Sequence, residues 1–276
     1  MAEAPTGAQT VRRALALLRL VATGQEAGVR LADLVEMSGL SRPTVHRLLQ
    51  VLADEGAVER ELWSRRYRIG PELLLLGLAR TAGVPIRAAA EPFLRDLARA
   101  VGDTVFLTVR HGADSVCVAR HLGHHPIQVL SIEVGVRRPL GASVSGVVLL
   151  AGQDEPAGQL LLESNRPRLE RLGLTMAEVR QRVEAARQQG HAFSAQGVVP
   201  GTAALAVPVK DEQGQVMAAI SVAAMAEHLR PARRMEVLDQ MCRCAMAITR
   251  RLHEQHTRPG LRQDAASIST AASTAP

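Results

Sequence analysis

The chain is short of aromatic residues, lysine, cysteine and long apolar runs, and each shortage narrows what it can be. Aromatics make up 2% of 276 residues, so any core must rest on Leu, Val, Ala, Ile and Met. Lys210 is the only lysine, and nearly all positive charge is arginine. The three cysteines, Cys117, Cys242 and Cys244, are too few for a disulfide framework and fit a reducing cytoplasm. Cys242 and Cys244 form a C-x-C with no second pair to complete a zinc site, and read as small thiols on a packed helix. The longest apolar stretches, Val144–Ala151 and Leu73–Leu78, fall far below the ~18 residues of a membrane span. The first ten residues, MAEAPTGAQT, lack a secretory pattern. A soluble, cytoplasmic protein without membrane partners is expected.

What is present is ordinary for a folded chain: 47% hydrophobic and 22% charged residues, at a length suited to two domains. The net charge is +6 and the isoelectric point about 10.4, a basic balance that suits a polyanion such as DNA as well as a general preference for arginine.

Punctuation by Gly, Pro and capping residues divides the chain. Residues 1–9 and 257–276 read as disordered arm and tail. Val11, Leu15, Leu18 and Val21 predict a helix from Thr10, as N-cap, to Thr23. A short helix Leu31–Met37, a turn at Ser38-Gly39-Leu40, and a helix from a Ser41 cap to near Gly56 follow. Short strands at Ala57–Arg60 and Arg66–Ile69 come next. This is the order of a winged helix-turn-helix, over residues 10–70. A linker helix at Pro71–Thr81 leads to a boundary at Gly83 and Pro85 (71–85). The remainder, 86–256, mixes helices (Ile86–Val101, Ser143–Ala151, Ala157–Glu163, Thr175–Gln189, Pro231–His253) with strands. The strands are Thr104–Arg110, Ser115–Arg120, Ile127–Ser131, His191–Ser194, Thr202–Val209 and Val216–Ala223. Antiparallel strands with helices at their ends give an α+β sensor-type domain.

The segment Leu31–Asp54 carries the sharpest signal. Gly39 supplies a turn residue that tolerates positive φ. Leu31, Leu34 and Val35 pack on the following helix, whose own buried stripe is Val45, Leu48, Leu49 and Leu52. Ser41 caps that helix and Pro43 sits in its first turn. Arg42, Thr44, His46 and Arg47 fall outside the stripe, free for base edges and phosphates in the major groove. Arg65, Arg66 and Arg68 surround the wing tip and add a second contact to the backbone or minor groove. Trp63 and Tyr67 read as packing that anchors the wing rather than as stacking platforms.

At these residues the chain resembles the IclR family of bacterial regulators. The resemblance runs from Val11 to Leu252. It rests on ALALLRLVA, LADLVEMSGLSRPTVHRLLQVLADEGAVER and YRIGPELLLLG, then on VGVRRPLGASVSGVVLLA, VEAARQQGHAFS and ALAVPVKDEQGQVMAAISVAA. It implies a winged helix joined to a GAF/PAS-like α/β effector-binding domain. It also implies a homodimer or homotetramer on a palindromic double-stranded DNA operator, acting as repressor or activator, with a small carboxylate or aromatic acid as effector and no cofactor. The family's pocket maps onto Leu140, Gly141, Ala142, Ser143, Ser145 and Gly146, and onto Ala204, Ser221 and Ala223 of the facing strands. A helix start preceded by Gly141-Ala142-Ser143 suits an anion. The chain departs from the pattern at Gly141, Ala204, Gln196 and Ala223, where the family often carries polar groups. A more apolar or bulkier ligand, or weakened sensing, follows.

Two rivals are weighed against this. His121, His124 and His125 have a spacing that metal sites use, yet Gly123 and Pro126 put them in a loop with no acidic ligand set, and no metal site is assigned. SVSGV lacks the first glycine of a nucleophile elbow, so no enzyme is expected. The other rival is a DNA-binding regulator whose C-terminal domain serves only assembly, through Leu73–Leu78 and a final-helix face of Leu238, Met241, Cys242 and Ala245. Under the effector reading, a dimer sets two recognition helices about 34 Å apart and ligand near Ser143 shifts the linker helix.

Overall fold

An apolar knot of helix and hairpin residues organises the N-terminal part of the computed structural model, which describes residues 6–78, 85–130, 132–197 and 199–256. Its elements are α1 (Thr6–Thr23), α2 (Leu31–Ser38), α3 (Arg42–Asp54), β1 (Val58–Arg60), β2 (Tyr67–Ile69) and α4 (Pro71–Leu78). Leu17, Val21, Leu34, Val45, Leu48, Leu49, Val58 and Tyr67 are buried together. Gly39 ends α2 at φ +64°, and its N–H closes the helix on the Val35 carbonyl. Strands β1 and β2 pair antiparallel with Glu59 opposite Arg68, and Val29 adds a bridge to Tyr67.

Helix α1 corrects two expectations. It starts at Thr6, so Thr10 is not its cap and residues 6–9 are helix rather than arm. Ala8 and Gln9 propagate a helix well, and the last proline before it is Pro5. The buried stripe is also rotated: Leu17 and Val21 are enclosed, with Ala14 and Leu18 beside them, whereas Val11 and Leu15 are exposed. The expected disorder of residues 1–5 and 257–276, and the linker beyond Leu78, lie outside the described residues.

The rest of the chain supplies α5 (Pro85–Val101), β3 (Thr104–His111), β4 (Asp114–His121), β5 (Arg137–Pro139), α6 (Val144–Ala151) and α7 (Glu155–Arg171). Then come α8 (Met176–Gln189), β6 (Ala192–Ser194), β7 (Thr202–Lys210), β8 (Val216–Met225) and α9 (Pro231–His256). The strands form one sheet in the order β5-β4-β3-β8-β7-β6. Its central strands feed two cores. Ala218, Ile220, Val222 and Ala224 of β8 pack with α5 and α9, while Ala219 packs with α6 and α8. By the two-residue period of a strand, Ser221 and Ala223 share the Ala219 face. The described residues separate into two units, 6–78 with 132–137, and 85–130 with 138–256.

Three further expectations change. Residues 127–130 form no strand. The Gln128 amide instead donates to the carbonyls of Gly102 and His125 and accepts from the Thr104 hydroxyl, which pins a loop. The edge position goes to β5, where Pro139 is tolerated because an edge strand has one side free of pairing. Helix α7 runs through Pro167 to Arg171 instead of stopping near Glu163. Its second half is held by Asn165 Nδ2 on the Ala113 carbonyl at 2.6 Å and by the Arg168–Asp114 pair at 2.5 Å. Finally, Met241 and Ala245 lie inside the α5/α9 core with Leu238 against it, so that face of α9 serves the fold, and Cys242 alone of the four is exposed.

Candidate functional site

Helix α3 presents the residues expected to meet DNA on the side away from its core. Val45, Leu48 and Leu49 are buried, and Arg42, Pro43, His46 and Arg47 are exposed. Ser41 occupies the N-cap position in extended conformation, but its side chain does not cap. Its hydroxyl pairs with the Thr44 hydroxyl at 2.8 Å, leaving Thr44 half-buried. A helix start whose amides are not taken by a side chain presents N–H groups and a positive dipole end outward. Gln50, missed in the sequence, lies one turn beyond His46 on the exposed face and donates to Asp54 at 2.9 Å. Its signal was the same helical spacing that singled out His46.

The wing differs more from expectation. Arg66 reaches back to the Gly28 carbonyl at 2.8 Å, and Arg68 pairs with Glu61 at 3.3 Å. Both are half-buried, so of the three wing arginines only Arg65 is exposed at the tip. Tyr67 is buried as an anchor, with the Arg60 guanidinium 5.6 Å from its ring centre. Trp63 is no anchor: it is 95% exposed, beside Leu62 at 90%. The turn lifts both away because the hairpin closes below them, with Glu61 N–H on the Arg66 carbonyl and Arg65 N–H on the Glu61 carbonyl.

In the second unit, α6 begins at Ser143, whose hydroxyl accepts from the Gly146 N–H at 3.2 Å. Within the first turn, Ser145 donates to Ser221 of β8 at 2.9 Å, and both are buried. The Ser221 side chain therefore faces α6. Register carries that face outward along a rung: Ser221 pairs with Ala206 on one side and Phe106 on the other, and Phe106 pairs with Arg120. Directly opposed residues of antiparallel strands share a face. Arg120 and Phe106 thus look toward the same side as the serines. The neighbouring rung sets Ala223 between Ala204 and Thr104. Among the residues mapped to a pocket, Ala142, Ser143, Ala204 and Ala223 are partly open. Leu140, Gly141, Ser145, Gly146 and Ser221 are buried and form the wall behind them.

The three histidines of the H-x-x-H-H run go separate ways. His121 lies 3.3 Å from the Glu91 carboxylate, and His124 lies against Gly102. His125 meets His228 edge-on, with ring centres 3.9 Å apart. His228 and Arg233 converge on the buried Asp103, Arg233 at 2.8 Å. No group of three or more His, Cys, Asp or Glu side chains among the described residues is gathered to hold a metal.

Two family models match this layout, the IclR helix-turn-helix domain over residues 10–62 and the bacterial transcriptional regulator IclR C-terminal over residues 79–250. The chain belongs to the IclR family. It is 34% identical over 247 residues to the glycerol operon regulatory protein of Streptomyces griseus, covering 88% of this chain and 96% of that one. It is 28% identical over 250 residues to the HTH-type transcriptional regulator XynR of Escherichia coli K12, covering 88% and 97%. An IclR homolog from Microbacterium hydrocarbonoxydans, crystallised with 4-hydroxybenzoate, shares the fold at a TM-score of 0.68 and 22% identity, covering 89% and 99%. This IclR protein is a DNA-binding transcriptional regulator and not an enzyme, as its relatives' names also indicate. No helix among the described residues is long and apolar enough to cross a membrane.

One departure of this IclR chain from the sequence pattern has a steric cause. Gly141 adopts φ +94°, and a Cβ there would come within 2.6 Å of Val179 on α8. A side chain at 141 is excluded while Val179 occupies that space. Arg120 was missed because a lone arginine in an alternating strand carries no signal until register shows which face it occupies. Arg138, two residues ahead of Leu140, is half-buried with its Nε unpartnered, and burial lowers its guanidinium below the usual value.

Proposed function

We propose that this regulator binds a palindromic operator as a dimer or tetramer, represses a neighbouring catabolic operon, and is released or retained by a small organic acid. Recognition falls to Arg42, Pro43, Thr44, His46 and Arg47 of α3, with Ser41 at its start and Arg65 on the wing. Arg66 and Arg68 hold the wing in shape. The acid lies over Ala142, Ser143, Ala204 and Ala223, backed by Leu140, Gly141, Gly146 and the Ser145–Ser221 pair. Arg120 faces the carboxylate and Phe106 an aromatic or aliphatic body. The observation that carries this reading is the rung Arg120–Phe106–Ser221 facing the start of α6. It sets a guanidinium, an apolar wall and hydroxyls around one small-residue surface, a set suited to an acid with an apolar body.

The fold supports an acid ligand as well, since the Microbacterium hydrocarbonoxydans homolog was crystallised with 4-hydroxybenzoate. The Streptomyces griseus relative is named for the operon it regulates. Self-association is supported by α4, where Leu74, Leu75 and Leu76 are all exposed on an eight-residue helix. The test measures retention of fragments from the protein's own promoter region by the full-length chain, with and without a panel of aromatic and aliphatic acids. Retention altered by at least one acid is expected. Retention that no acid changes, together with no thermal stabilisation by any of them, defeats the effector reading.

A further inference from the structure

We propose that Leu62 and Trp63 form an apolar wedge that enters the minor groove of bound DNA from the tip of the wing. The proposal rests on the wing of this winged helix lying against duplex DNA, and it adds a contact that charge alone does not supply.

The tip concentrates three costly features. Trp63 is the only tryptophan in the chain, and it stands 95% exposed with Leu62 at 90% beside it. A large apolar pair left in water is a liability unless a partner covers it. Arg65, two residues on, holds φ +55°, a left-handed conformation that a non-glycine side chain adopts only at a cost. The turn is nevertheless firmly built. Glu61 N–H bonds the Arg66 carbonyl at 2.9 Å, and Arg65 N–H bonds the Glu61 carbonyl at 3.0 Å. The Glu61 carboxylate takes Ser64 on one oxygen and Arg68 on the other. That arrangement pairs the acid next to Leu62, which would otherwise repel phosphates, with a cation. The exposed pair is thus presented on a rigid support with Arg65 exposed next to it.

Duplex DNA is the occupant that fits. The pair continues the surface of a DNA-binding domain, and the charge around it is net positive, Arg60, Arg65, Arg66 and Arg68 against Glu59 and Glu61. Minor-groove proteins insert apolar side chains between base steps while arginines track the groove walls. An aromatic face stacked on a base or sugar adds affinity without adding to counterion release.

The single tryptophan makes the test direct. Duplexes are selected from a random-sequence pool by the full-length protein, and Trp63 emission and its quenching by acrylamide are followed on adding them. Emission should change and acrylamide access should fall on binding. Replacement W63S should weaken binding about tenfold with the salt slope unchanged, and W63F should restore most of it. R47A should instead lower the salt slope. A groove-filling minor-groove drug should compete with the wild type more strongly than with W63S. The wedge is overturned if Trp63 stays fully accessible to acrylamide in the complex while R47A still weakens it, an outcome that leaves DNA binding intact. It is overturned too if raising protein concentration alone shields Trp63, which makes a second copy the occupant. A pool that yields no retained duplex removes the winged-helix reading and the wedge with it. Leu62 and Trp63 touch no core, so thermal unfolding of W63S should match the wild type.

Discussion

Ser145 of α6 donates its hydroxyl proton to the Ser221 hydroxyl of β8, 2.9 Å away, and both side chains are buried. The bond stitches the first turn of a helix to the middle of the sheet through two groups that water cannot reach.

Removing both partners should hurt less than the two single removals added together. S145A leaves the Ser221 oxygen buried without its partner, and S221A does the same to Ser145. Each should lower unfolding free energy by about 1–3 kcal/mol. The double variant S145A/S221A should lose less than the two single losses added, with a coupling of about 0.5–3 kcal/mol in urea unfolding. Simple additivity would mean that the hydroxyls do not depend on each other.

How much of this was legible in advance varied with the range of the interaction. The turn at Gly39, the Ser41 position and the buried stripe of α3 are local, and spacing alone revealed them. The rung from Arg120 to Ser221 joins residues 101 positions apart through register, so no local pattern could flag Arg120. Trp63 was misassigned for a related reason: tryptophan usually packs, and only the hydrogen bonds that close the wing below it show that it has nothing to pack on. The strand expected at Ile127 failed because one side chain, Gln128, satisfies three polar groups and holds a loop.

Gly39 and Gly141 both adopt positive φ, but only one is crowded. A Cβ at 39 meets nothing within 4 Å, whereas one at 141 meets Val179 at 2.6 Å. G39A should therefore cost only the backbone penalty, about 1–2 kcal/mol. G141A should cost more, because overpacking adds about 1–3 kcal/mol to that penalty. The variant G141A/V179A should recover part of the difference by clearing the space. Chemical denaturation of the three proteins checks the order. Equal losses at 39 and 141 would show that α8 yields freely.

Arg47 and Arg120 should divide the protein's two activities. R47A should weaken operator binding and reduce the slope of log affinity against log salt by about one if Arg47 contacts a phosphate. Acid binding, read by thermal shift, should not change. R120M should do the reverse: an acid that stabilises the wild type should bind about tenfold or more weakly, because a charge-assisted bond to carboxylate is worth about 1.5–3 kcal/mol. Operator affinity without acid should stay as it was. An R120M protein that binds acids normally would remove the guanidinium from the proposed site.

The cysteines give a prediction whose sign depends on burial. Burial pushes the Cys117 thiol up to about 11 and the Cys244 thiol up to about 12, while Cys242 is exposed. The thiolate is the nucleophile, so a raised value and a closed surface both protect. Iodoacetamide near neutral pH should label Cys242 and spare the other two, as peptide mass mapping would show. Linkage fixes the direction of the stability effect. A raised value in the folded state means that folding favours the protonated thiol. The contribution is whole below the unfolded-state thiol value and is lost as pH climbs toward 11 and 12. The melting temperature of the wild type should fall more steeply on the alkaline side than that of C117A/C244A. Labelling of Cys117 at the rate of Cys242 in the folded protein would mean that β4 opens to solvent, and the packing of Cys117 opposite Thr108 would have to be given up.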